Sequence, residues 1–242
     1  MAYVIAVATN KGGAEKTTSA INIADGIARE GKSVLLVDAD EQASASAWRR
    51  VREDSAAQRK SSKDPLFQLV AQKAPILHKE IPALLDRTSY EYVVIDCPPG
   101  AQSSAAQMTR SALLTSNLVI VPVTPSGFDF WASDPMVQLL KEVRIYIEDL
   151  DSRLLINRKM GNTRIGREAR AGAELFEMPI FKTEISQRIA VAESTSRGMT
   201  IYEFEYGGIS ASEYNRLIQE IFTCQEKGKA QSSPGVLTPK SS

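Results

Sequence analysis

Apolar residues recur along the chain in two rhythms. Tyr3 to Thr9, Ser33 to Val37, Tyr92 to Ile95, Leu118 to Val123 and Leu154 to Asn157 are short, β-branched and nearly continuous, the pattern of strands buried on both faces. Phe67 to Val70 is a weaker, shorter run of the same kind. Between the runs the period changes. Ala20, Ile23, Ala24, Ile27 and Ala28 fall at i, i+3, i+4, i+7 and i+8, one apolar stripe of a helix, with Gly31 where a C-cap glycine belongs. Residues 43 to 63 read as a helix containing Trp48 that runs into a polar, basic loop through Arg59, Lys60, Ser61, Ser62 and Lys63. Ile76 to Leu85 has helical spacing interrupted by Pro82. Glu213 to Lys227 is amphipathic, with Tyr214, Leu217, Ile218, Ile221 and Phe222 on one side. Strand and helix alternate throughout, so the expectation is a single α/β domain over residues 1–227, followed by a polar, disordered tail over 228–242.

The candidate chemistry sits where strands end. After the first strand comes Thr9-Asn10-Lys11-Gly12-Gly13-Ala14-Glu15-Lys16-Thr17-Thr18, and then the first helix. Strand, glycine-containing loop, helix is the arrangement that wraps phosphates in backbone N–H groups at a helix N-terminus. In that arrangement Gly12 and Gly13 let the backbone approach the ligand and Lys16 reaches the β- and γ-phosphates. Thr17 places its hydroxyl on magnesium, Thr18 contacts the α-phosphate, and Lys11 adds a further cation. The pattern G-x-x-x-x-G-K-S/T is not met literally, because Asn10 and Glu15 occupy its two glycine positions. The second strand runs into Asp38-Ala39-Asp40-Glu41-Gln42, carboxylates at a ligand-binding strand end or the N-cap of the next helix. The Tyr92 run ends in Asp96-Cys97-Pro98-Pro99-Gly100. A strand-terminating turn accounts for the prolines there, whereas the aspartate is placed as a magnesium anchor.

Lys11-Gly12-Gly13-Ala14-Glu15-Lys16-Thr17-Thr18 resembles the deviant Walker A motif, K-G-G-x-G-K-T-T/S, of the ParA/MinD family of ATPases, with Glu15 in place of glycine. Residues 38–42 resemble that family's D-x-D-P-Q, with Glu41 for proline, and residues 96–100 its D-x-P-P-G Walker B and switch segment. The resemblance covers Ala2 to about Phe222 and implies a doubly wound, mostly parallel sheet with helices on both faces. It implies ATP and magnesium as cofactors and a homodimer that sandwiches two ATP molecules. Lys11 then reaches the partner's nucleotide, and Lys16 and Asp40 serve hydrolysis, Asp40 by orienting the attacking water. Asp38, Thr17 and Asp96 organise the magnesium. Pro122-Val123-Thr124-Pro125 lies near the nucleotide and the dimer interface. Phe128, Phe130 and Trp131 fill either the core or that interface, and Asn157 lies near adenine. The short form of the chain is similar to the small plasmid-partition branch. That implies ATP-dependent, non-specific DNA binding on the nucleoid, a ParB-like centromere-binding partner, and no membrane attachment. A nucleotide-deficient scaffold of the same fold and a membrane-positioning protein like MinD are the competing readings.

Composition changes this picture in three places. Lys plus Arg and Asp plus Glu both number 29, so any DNA-binding surface must be local. Residues 151 to 200 carry nine basic and six acidic residues, and Arg158, Lys159, Arg164, Arg167, Arg170 and Arg188 are the contact candidates, with a solvated helix face as the alternative. Cys97 and Cys224 lie outside any C-x-x-C spacing and read as reduced, buried thiols of a cytoplasmic protein. His78, the only histidine, has no ligand cluster around it in sequence and reads as a surface residue. Glu15 changes the most. A carboxylate about 5 Å from one phosphate charge is repelled by ~3 kcal/mol at an effective dielectric near 20, so ATP is expected to bind weakly or not at all, or in a geometry poor for hydrolysis. The Glu213 helix carries few cations on its polar face, and packing on the core is expected over lipid binding.

Overall fold

The computed structural model describes residues 2–59, 66–100, 103–125, 135–161, 163–174 and 178–232. Phe128, Phe130, Trp131 and the basic stretch 60–63 lie outside the described residues. Six strands form one sheet, β1 (Tyr3–Val7), β2 (Val34–Asp38), β3 (Gln68–Ala71), β4 (Tyr92–Asp96), β5 (Leu118–Val123) and β6 (Asp151–Ile156), in the order β3-β2-β4-β1-β5-β6. Every pairing is parallel, with Val7 opposite Asp96 and Asp38 opposite Asp96 in register. Alternate residues of β1 serve two cores. Tyr3, Ile5 and Val7 face one hydrophobic cluster, and Val4 and Ala6 face the other. Two buried faces explain why the strands read as continuous apolar runs.

The first cluster is closed by α1 (Lys16–Arg29), α2 (Ser44–Arg59), α7 (Ile189–Ser196), α8 (Ile201–Phe204) and α9 (Ile209–Ser232), and the second by α3 (Leu77–Leu85), α4 (Ser103–Leu113), α5 (Pro135–Arg144) and α6 (Arg164–Glu174). This is the doubly wound architecture the family resemblance implies. The α1 stripe is buried as its spacing predicts, and Gly31, at φ +79°, follows the helix with its N–H on Ala28 O. Pro82 does not break α3. It sits on the solvent side while Leu77 and Ile81 anchor the opposite face, and their burial holds the helix together across the proline. His78 is half-buried, its Nδ1 2.8 Å from Ser111 Oγ on α4, and not a surface side chain.

In α9, Tyr214, Leu217, Ile218 and Ile221 are buried against the sheet. The polar side is also committed: Glu213 accepts from the Ser186 N–H and Oγ, and Glu220 from the Lys182 and Thr183 N–H groups. The helix continues through Gly228 to Ser232, where a disordered tail was expected. Gly26 lets α8 and α9 approach α1 closely. A Cβ there would meet Tyr202 Oη at 2.5 Å and Ile218 Cγ1 at 2.8 Å. Arg52 fastens α2 to α8 by two 2.7 Å bonds to the Glu203 carboxylate and a 3.1 Å bond to Gly198 O.

Candidate nucleotide-binding site

From β1 the chain passes through α1 to β2 on one side, while from β4 it passes to β5 on the other. Strand order therefore reverses between β1 and β4, and the C-terminal ends of these two adjacent strands frame the crevice where open α/β sheets take ligands. The loop from Ala8 to Glu15 closes over that crevice, and α1 begins at Lys16 with its N-terminus facing it. Gly13 has φ +77°, which a β-carbon would oppose. Space around Gly12 is open: a Cβ built there meets nothing within 4 Å. Lys16 is buried, and burial lowers its ammonium pKa against the opposing pull of Asp96, Cys97 and Asp40.

The three strand-end carboxylates have separate environments. Thr17 Oγ1 donates to Asp96 Oδ2 at 2.6 Å, while the other oxygen, Oδ1, is buried with no hydrogen-bond partner among the described residues. Burial pushes the Asp96 carboxyl up to about 7, the Thr17 bond and Lys16 pull it down, and Asp38 and Asp40 add to the rise. A buried carboxylate with an orphaned oxygen beside a threonine hydroxyl is chemistry that suits a hard cation with oxygen ligands. Among the described residues there is no group of three or more His, Cys, Asp or Glu that could hold a metal unaided. A magnesium ion here would therefore share its shell with ligand oxygens and water.

Asp38 is 1% exposed, and its Oδ2 accepts from the Ser46 N–H at 2.8 Å and the Ser46 hydroxyl at 2.6 Å. It thus caps the first turn of α2, the role sequence had offered as the alternative to ligand binding. Asp40 bonds the Gln42 N–H at 2.9 Å in an Asx-type turn, and with Pro98 and Pro99 it lines a cavity of about 200 Å³.

The opposite wall comes from the ends of β5 and β6. A cleft of about 520 Å³ is lined by Lys11, Gly12, Gly13, Ala14, the Pro122–Pro125 segment, Arg158, Met160 and Gln187. Asn157, fully buried, donates from Nδ2 to Ala14 O and Ser19 Oγ, both at 3.2 Å, and accepts from the Arg158 N–H at 2.9 Å. Its amide is spent on bracing the loop, which is a different task from contacting a base. Arg158 donates to Gly13 O at 3.2 Å and places Nε 3.7 Å from Glu15 Oε1. Glu15 is left-handed at φ +57°, and burial raises its carboxyl pKa while Arg158 pulls it down.

Six side chains proposed from sequence for DNA contact are not equivalent in space. Arg158 belongs to the loop. Lys159 and Arg170 both pair with Glu184, and Arg170 also donates to the carbonyls of Phe181 and Lys182. Arg164, paired with Glu168 within α6, remains exposed, as do Arg167 and Arg188. Sequence reasoning missed Ser19 and Ser46, whose only signal is a hydroxyl in the first turn of the helix after each motif. It also missed Arg158 as a loop residue, because its partners lie far away in sequence.

Fold and site together define a nucleotide-binding α/β protein of the P-loop class. Residues 5–201 match the CobQ/CobB/MinD/ParA nucleotide binding domain family, and the chain belongs to that family. The chromosome-partitioning ATPase Soj of Thermus thermophilus is 31% identical over 244 residues, covering 90% of this chain and 94% of that protein. Maintenance of carboxysome distribution protein A of Halothiobacillus neapolitanus is 26% identical over 221 residues, covering 91% of this chain and 96% of that protein. In fold the chain is similar to the septum site-determining protein MinD of Pyrococcus horikoshii complexed with Mg-ADP, with TM-score 0.72, 20% identity, and 94% and 99% of the two chains covered. It is also similar to cobyrinic acid a,c-diamide synthase of Mycobacterium smegmatis with bound ADP and magnesium, with TM-score 0.70, 20% identity, and 94% and 97% covered. Such different activities on one fold mean that function must be argued from the site.

Proposed function

We propose that this chain is a ParA-like positioning ATPase whose ATP-bound dimer binds DNA without sequence preference, and which a ParB-like partner resets by stimulating hydrolysis. The observation that carries the reading is the Thr17–Asp96 pair at the strand-order reversal, with Asp96 Oδ1 orphaned and Lys16 buried at the start of α1. Bound magnesium and ATP would supply the phosphoanhydride and neutralise its charge. Thr17 and Asp96 hold the cation, Asp96 through water, and backbone N–H groups of residues 12–17 together with Lys16 hold the phosphates. Asp40 orients a water, and Lys11 reaches the partner's nucleotide across the dimer. Asp38 acts through the α2 cap, which fixes the loop carrying Asp40. Exposed Arg164, Arg167 and Arg188 are the DNA contacts this reading retains, doubled by dimerisation. Glu15 in place of glycine lowers nucleotide affinity to the extent that its charge is left uncompensated.

Partition of DNA is favoured by the resemblance to the chromosome-partitioning ATPase Soj, and distribution of another cargo by the resemblance to the carboxysome-distribution protein. Among the described residues no helix is long and apolar enough to cross a membrane, and α9 is committed on both its apolar and acidic sides. The commitment of α9 favours a DNA surface over a lipid one. The test is sedimentation of the chain with magnesium and ATP, ADP or no nucleotide, followed by co-sedimentation with non-specific duplex DNA. A dimer and salt-sensitive DNA binding are expected with ATP only. Equal behaviour in all three conditions, with no measurable nucleotide binding, would replace the ATPase with a static scaffold.

A further inference from the structure

Glu15 and Arg158 both hold left-handed backbone, at φ +57° and +53°, although neither is glycine or asparagine. A β-carbon opposes that conformation, so each is imposed by its surroundings. The two residues meet at the mouth of the phosphate loop, brought together across nearly the whole first two-thirds of the chain. Glu15 stands at the N-cap of α1, yet its side chain makes no capping bond. Its carboxylate turns instead toward the guanidinium, Oε1 lying 3.7 Å from Nε. Arg158 Nη1 simultaneously donates to the Gly13 carbonyl, 145 residues away in sequence. One planar fork thus touches both the anomalous carboxylate and the loop backbone, and it lines the same cleft as Lys11 and Gly12.

We infer that Arg158 is the positioning residue that lets phosphates enter a loop carrying Glu15: its guanidinium offsets the Glu15 charge and engages that carboxylate. This rests on the nucleotide-binding reading of the loop. Glu15 and Arg158 then act as one compensated pair, and the effect of either on affinity depends on the presence of the other. At 3.7 Å the contact is between charges and is longer than a hydrogen bond, so charge matters more here than fork geometry. Lysine at 158 should accordingly serve almost as well as arginine.

The test is calorimetric binding of MgADP and MgATP to the full chain, to Arg158→Gln, to Glu15→Gln, to the double variant and to Arg158→Lys, with melting temperatures recorded alongside. Arg158→Gln is expected to weaken binding by about tenfold or more in the parent and by no more than about threefold when introduced into the Glu15→Gln variant, with Arg158→Lys within about threefold of the parent. Equal weakening on both backgrounds overturns the inference, since Arg158 would then act on the ligand or the loop independently of Glu15. Binding by Glu15→Gln but not by the parent also overturns it, while leaving the site a nucleotide site. Binding by none of the five proteins removes the nucleotide reading and the inference with it. Should Arg158→Gln fail to fold, Glu15→Gln decides: a gain below about threefold over the parent supports a compensated pair, and a larger gain refutes it.

Discussion

Asn157→Ala should unfasten the phosphate loop from the sheet. The amide is fully buried and serves three groups, the Ala14 carbonyl, the Ser19 hydroxyl and the Arg158 N–H, at 3.2, 3.2 and 2.9 Å. A buried polar group left without its partner costs about 1–3 kcal/mol. Two of the three bonds are at the long end of the normal range, so the low end applies, and the total is about 3 kcal/mol. For a chain of this size 1 kcal/mol corresponds to about 2–4 °C in Tm, which gives an expected fall of about 6–12 °C without nucleotide. The assay is thermal unfolding of the nucleotide-free protein, followed by competition between ATP and GTP. A brace predicts lower stability and weaker binding of both nucleotides alike. A base-reading residue predicts unchanged melting and a lost preference for ATP. Melting within about 2 °C of the parent would refute the bracing role.

The same geometry sets three other expectations. Asp96→Asn removes the charge beside the Thr17 hydroxyl, so chelating magnesium should weaken ATP binding about tenfold or more in the parent and hardly at all in the variant, read by calorimetry with and without EDTA. Burial pushes the Glu203 carboxyl up, but bonds from Arg52 and the Thr200 N–H outweigh it and hold the carboxyl below its ordinary value of 4.5. The resulting stability is full above pH 4.5 and is lost as pH falls through the lowered value. Glu203→Gln should therefore cost about 3 kcal/mol at neutral pH, by removing the carboxylate charge that faces the buried Arg52 guanidinium, with the gap to the parent closing in acid, as measured by urea titration across pH. Alanine normally stabilises a helix interior by about 1 kcal/mol over glycine, but Gly26→Ala drives a Cβ to 2.5 Å from Tyr202 Oη, so its urea midpoint should fall.

The strands and the loop were readable because their signals are local. A continuous apolar run of five or six residues needs no partner to be recognised, and Lys16-Thr17 after a glycine pair is legible because the strand before it and the helix after it are read from the same short stretch. Strand order carried no such signal. Nothing in residues 92–96 says that β4 will insert between β1 and β2, because the choice of neighbour is made by the whole sheet. Pro82 misled because α3 is held by the burial of Leu77 and Ile81, a tertiary contact that outweighs the proline and that periodicity does not record. Asp38 and Asn157 were marked from the sequence as candidate site residues, but the bonds they make are set by Ser46 on the next helix and by Ala14 more than a hundred residues back. Polar roles fixed by distant partners are the ones a sequence conceals.

The link from Asn157 and Arg158 to the loop also bears on how the protein is made. Residues 9–18 are synthesised first, and β1, β2 and β4 can pair once residue 96 has emerged. The carbonyls of Gly13 and Ala14 acquire their side-chain partners only after β6 has been added at the far edge of the sheet. A nascent chain halted before residue 157 would hold the Walker lysine and both aspartate strand ends yet lack the brace that shapes the loop. The loop thus takes its finished shape only when the sheet is nearly complete, the last strand at one edge setting the backbone at the end of the first.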